Sequence, residues 1–137
     1  MDRRRRFSAF VAGGHDPRPT ILHALEFCRD FVTGSCLDER ARVKAAIIVE
    51  ELVSNLLRHG GKDKDIALCL QVADHADGVS FEIEDDGAAF DPLADNSAGG
   101  IDPVSGGGVG LAIVRAWGED LHYSRRAERN RLTLMIR

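Results

Sequence analysis

Residues 66–87 read IALCLQVADHADGVSFEIEDDG. Ile66, Leu68, Leu70 and Val72 alternate with smaller or more polar neighbours, Asp74–Gly78 supplies a turn, and Val79, Phe81 and Ile83 resume the alternation. A period of two in two runs joined by a turn predicts a pair of strands that each bury one face. In the second run the polar positions are Ser80, Glu82 and Glu84, so the same parity puts Asp85 on the buried face and Asp86 outside. A carboxylate at the end of an apolar strand face is costly unless something donates to it. Ionised, it is acceptor-only, which suits an N–H donor such as the exocyclic amine of a base, and Gly87 behind it lets a ligand approach the backbone. Capping of a local turn is the other way to satisfy it.

Working outward, Phe7–Ala12 alternates weakly and predicts a short strand. Asp16–Thr20 carries helix-start chemistry with two prolines, and Ile21, Leu25, Cys28 and Val32 follow at helical spacing up to Gly34. A second helix is expected from Ser35–Asp38, where Ser35 and Asp38 are candidate caps, to His59, with Gly60-Gly61 as its stop. Its core stripe is Ala46, Val49, Leu52, Val53 and Leu56. Downstream, Asp86–Gly107 reads as a loop and Val109–Trp117 as a third helix ended by Gly118. Leu121–Arg125 and Arg131–Arg137 read as a closing hairpin with Leu132, Leu134 and Ile136 on one face. The order β-α-α-β-β-α-β-β predicts an α/β two-layer sandwich over residues 7–137, a mostly antiparallel five-stranded sheet with about three helices on one face. Residues 1–6, with the run Arg3–Arg6, are expected to form a basic solubilising tail.

At 137 residues the chain suits one domain. Its longest uncharged apolar run, Ala45–Val49, is far short of the ~20 residues of a membrane span. Phe7–Gly14 is too brief for the apolar part of a secretory leader. Cys28, Cys36 and Cys69 fit neither a disulfide framework nor a metal spacing, so a cytoplasmic location is expected. The net charge of −4 hides an asymmetry: residues 1–64 carry +3, residues 65–114 carry −10 with no Lys or Arg, and residues 115–137 carry +3. A cation-free middle is a poor surface for duplex nucleic acid, which demands several phosphate contacts.

Two further stretches carry chemistry. Glu51, Asn55 and His59 recur every four residues and share one face of the second helix beside its apolar stripe. A carboxylate and an amide one turn apart can hold a hydrated magnesium ion or a water between them, and a plain solvated face has the same pattern. Six of the 14 glycines fall in residues 99–110, directly before a helix. Glycines leading into a helix expose successive N–H groups, which with the helix dipole suit phosphates; a flexible loop is the plain alternative. The run is neither a Walker A sequence nor a dinucleotide-binding fingerprint.

Taken together and in this order, Glu51-x-x-x-Asn55 with His59, Asp85-x-Gly87-x-x-Phe90-Asp91 and Gly106-Gly107-Gly108-Val109-Gly110-Leu111 resemble the three conserved boxes of the GHKL ATP-binding superfamily. That superfamily unites type II topoisomerases and sensor histidine kinases in the Bergerat-type fold. The short chain and the closing Asn130–Leu134 look most like its anti-sigma-factor serine kinases, and the resemblance covers about residues 7–137. It implies Glu51 as general base and Asn55 as magnesium ligand, with Arg58 and His59 near the nucleotide. It further implies Asp85 as acceptor for the adenine amino group with Gly87 beneath the ring, and Gly107, Gly108, Val109, Gly110 and Leu111 around the phosphates. Asn130 and Thr133 both suit the polar residue that the family carries near the last strand.

The implied activity is regulatory: phosphate moves from MgATP to a serine of an anti-anti-sigma partner, and a sigma factor is bound. Homodimers are frequent in the group. Members can carry a basic residue just before the glycines, whereas Ser105-Gly106 stands here and no Lys or Arg lies between Lys64 and Arg115. Charge neutralisation supplies much of phosphoryl-transfer catalysis. A nucleotide-dependent partner-binding module with little or no turnover is therefore the alternative, and a detached ATP-binding domain of a histidine kinase is a third reading.

Overall fold

The computed structural model describes residues 3–59, 63–94 and 109–137, the side chains of His59 and Val109 excepted. Eight elements follow one another: β1 (Arg4–Val11), α1 (Arg18–Thr33), α2 (Glu39–His59), β2 (Ile66–His75), β3 (Gly78–Asp85), α3 (Val109–Trp117), β4 (Glu119–Arg126) and β5 (Arg129–Ile136). The strands form one sheet in the order β1-β2-β3-β5-β4, and every neighbouring pair is antiparallel. The expected α/β sandwich is thus the observed one, with an all-antiparallel sheet. Ala76 and Asp77 alone join β2 to β3, because the ladder continues to His75 opposite Gly78.

The core follows from the two periodicities. Leu68, Leu70 and Val72 of β2, Val79, Phe81 and Ile83 of β3, and Leu132, Leu134 and Ile136 of β5 are buried on one side of the sheet. Phe31 and Val32 of α1, Ile48, Val49, Leu52 and Val53 of α2, and Val114 of α3 pack in the same cluster. Each such side chain contributes about 1.5–3 kcal/mol when fully buried. On β3 the opposite parity leaves Glu82 and Glu84 half-buried, and they pair with Arg131 and Arg129 of β5. Helix α2 starts where a side chain can serve its first turn, the Ala41 N–H donating to Asp38 Oδ1 at 2.8 Å. Ser35 acts in the connection instead, its hydroxyl donating to the Val32 carbonyl and accepting from the Leu37 N–H.

The N-terminal arginines correct an expectation. Arg4, Arg5 and Arg6 are not a tail but the first half of β1, paired with Ala73, Val72 and Gln71 of β2. An edge strand tolerates such a run because its side chains stay exposed while its backbone completes the ladder. Arg3 anchors the entry: its Nε lies 3.0 Å from Asp74 Oδ2, its Nη2 donates to the Phe31 carbonyl, and its guanidinium sits 4.0 Å from the Phe31 ring centroid. Strand β5 likewise begins two residues earlier than its hydrophobic pattern suggests, at Arg129.

Candidate functional site

Asp85 ends β3 on the buried side, 6% exposed, while Asp86 faces solvent and accepts from the Ala67 N–H at 2.8 Å. The strand parity read from the sequence is therefore present in the fold. One Asp85 oxygen is engaged locally: Oδ1 accepts from the Gly87 N–H at 2.9 Å and from Asn130 Nδ2 at 3.1 Å. The other, Oδ2, has no hydrogen-bond partner among the described residues. Burial pushes the Asp85 carboxyl above its usual range, and the Asn130 amide, the Gly87 N–H and the Arg125 guanidinium pull the other way.

Asp85 stands in a hollow with Ile83 and Leu132 of the sheet, Leu52, Asn55 and Leu56 of α2, and Phe90 and Pro92 of the segment after β3. The walls are apolar and the polar groups few, the composition of a site for a flat, largely apolar ring that offers one donor. Asn55 is 5% exposed and donates Nδ2 to the Glu51 carbonyl at 2.6 Å, one helical turn back. Its Oδ1 has no donor among the described residues and is the oxygen available to a cation or a water. No three His, Cys, Asp or Glu side chains converge as a metal cluster among those residues.

Glu51, one helical turn before Asn55 on α2, lies against α3. A methyl group built on Gly110 would overlap the Glu51 carboxylate, so glycine at this position lets the carboxylate lie directly against the first turn of α3. Helix N-termini favour negative charge, whether from a side chain or from a ligand. Leu111 beside it is buried.

The structure thus brings Asn55 and Asp85 into one hollow, Gly87 into the turn bonded to Asp85, and Glu51 against Gly110. It does not bring Arg58 to them. That exposed side chain leaves the last turn of α2 and lines a separate hollow with Ser54, Leu57, His15 and Lys64. Gly107, Gly108 and the side chains of His59 and Val109 lie outside the described residues. Between the two candidates on β5, Asn130 is buried and lines the hollow, whereas Thr133 has the opposite parity. Tyr123 of β4 lines it too, and Arg125 reaches its rim by donating to the Gly87 carbonyl at 3.1 Å. Asn130 carried a legible signal, a polar residue on the buried parity of Leu132, Leu134 and Ile136; Tyr123 and Arg125 carried none without the β4–β5 register.

The histidine kinase-like ATPase domain family matches residues 16–136. A relative from Bordetella bronchiseptica, named serine/threonine-protein kinase BtrW, is 34% identical over 101 residues, covering 69% of this chain and 70% of its own length.

Proposed function

From the premise that this chain belongs to the histidine kinase-like ATPase domain family, and so has an ATP-binding fold, we propose that it is a regulatory serine/threonine protein kinase of the anti-sigma type. In this reading it transfers phosphate from MgATP to a serine of an anti-anti-sigma partner and sequesters a sigma factor, as a cytoplasmic homodimer. Among the described residues no helix is long and apolar enough to cross a membrane.

The observation that carries the proposal is the Asp85 carboxylate, buried at the end of β3 with Oδ2 left for a ligand in an apolar hollow. The adenine amino group is the complementary donor, and the apolar walls suit the ring. Asn55 Oδ1 suits a hydrated magnesium ion, which takes only one or two protein oxygens. When bound, the ion would neutralise phosphate charge. In this reading Glu51, which lies beside the start of α3, takes the proton of the substrate hydroxyl. The serine Oγ attacks the terminal phosphorus, its proton passes to the Glu51 carboxylate, and the bond to the ADP oxygen breaks.

One observation favours the second reading, binding with little turnover. Among the described residues no Lys or Arg lines the hollow, and the sequence has none between Lys64 and Arg115. Incubating the protein with MgATP and candidate switch-domain partners, with intact mass as readout, separates the two. The kinase reading expects one added phosphate on the partner, at least about 100-fold slower with Glu51→Ala, while that variant keeps its affinity for ATP. An unmodified partner alongside normal ATP binding favours the binding module, and undiminished transfer by Glu51→Ala removes Glu51 as the base.

A further inference from the structure

Asn130 makes every hydrogen bond an amide side chain can make. Its Nδ2 donates to Asp85 Oδ1 at 3.1 Å and to the Ala88 carbonyl at 2.9 Å. Its Oδ1 accepts from the Tyr123 hydroxyl and from Arg125 Nη1, the latter at 2.9 Å. A guanidinium can only donate and a backbone carbonyl can only accept, so these two partners alone fix which end of the amide faces Asp85. Arg125 also donates to the Gly87 carbonyl at 3.1 Å. Three successive features, the Asp85 carboxylate and the carbonyls of Gly87 and Ala88, are thereby tied to the β4–β5 hairpin.

We propose that Asn130, Tyr123 and Arg125 form a clamp that directs Asp85 Oδ2 into the hollow, making all three positioning residues for recognition of an exocyclic amine rather than ligands of the nucleotide. The inference rests on the nucleotide reading of the site. With its four hydrogen bonds used, Asn130 has none to offer a base without breaking the clamp. The clamp holds Oδ1 occupied by two N–H donors, which leaves Oδ2 as the acceptor and favours the ionised carboxylate. Without the Tyr123 and Arg125 donors the amide is free to rotate, and an oxygen turned toward Asp85 would repel it.

Charge around Asp85 is sparse enough to read the effect by pH. Asp86 follows it directly after β3 and raises it, Arg125 on β4 lowers it, and among the described residues Tyr123 is the other ionisable group lining the hollow. Asn55 of α2 faces the hollow uncharged.

The test compares ATP with purine riboside triphosphate, which lacks the 6-amino group, across a pH series, using Tyr123→Phe, Arg125→Met and Arg125→Lys. Tyr123→Phe is the cleanest because it removes a donor and no charge. Tyr123→Phe and Arg125→Met should each weaken ATP about tenfold while leaving the analogue within about twofold. Both should move the acid limb of ATP binding to higher pH, and Arg125→Lys should recover part of the loss. Folded variants with wild-type ATP affinity and an unmoved acid limb overturn the clamp, as does an equal loss for both nucleotides. A wild-type protein that binds no ATP overturns the nucleotide reading and the clamp with it.

Discussion

Asp85 is a standing cost to the empty protein. Burial raises its folded-state pKa above the value of an unfolded chain, so in the interval between the two the folded state binds the proton more tightly. The resulting stability is present below the unfolded pKa and is lost as pH rises through the folded one. Nucleotide binding has the opposite sign, since the ionised carboxylate is the acceptor. Asp85→Asn resembles the protonated form and keeps an oxygen for the Gly87 N–H, so it avoids the cost. Urea unfolding without nucleotide should find Asp85→Asn more stable than wild type at about pH 7, with the gap closing toward about pH 4. A variant less stable than wild type by the same margin at every pH would show that ionised Asp85 is not strained by its burial.

Among the elements, the β4–β5 hairpin carries the most local strain. Its two-residue turn places Ala127 at φ 52° and Glu128 at φ 61°, the left-handed region that asparagine and glycine occupy at little cost. Each L-residue there costs about 1–2 kcal/mol. The double variant Ala127→Asn, Glu128→Gly should therefore raise the unfolding free energy by about 1–2 kcal/mol in urea titrations, and an unchanged or lower value would contradict the turn assignment. This turn also explains what was hard to read. Ala127-Glu128 has no turn chemistry, so the strand starts around it were displaced, whereas the β2–β3 hairpin was legible from its alternation alone. The first half of β1 is hard to read for another reason: a run of arginines has the composition of a solvated tail, and only pairing with Gln71, Val72 and Ala73 makes it a strand.

At the scale of the molecule, the site joins groups that are remote in sequence: Glu51 and Asn55 from α2, Asp85 from β3, Gly110 from α3 and Asn130 from β5. Helical spacing and strand parity made the first three legible, because each depends on neighbours a few residues away. Asn130 opposite Asp85, with Tyr123 and Arg125 behind it, depends on strand registers that periodicity alone does not fix. Arg58 shows the converse. Its position on α2 suits the site, yet its long side chain extends from an exposed last turn toward Ser54, Leu57 and Lys64. The cation-free stretch between Lys64 and Arg115 contains Asp85 and Gly87 at the end of β3 and the first turn of α3. All of this depends on Asp85 accepting from the base. Calorimetric titration of MgATP into wild type and Asp85→Asn at neutral pH tests it directly. An affinity about 100-fold weaker in the folded variant is the predicted result, and equal affinities would contradict it.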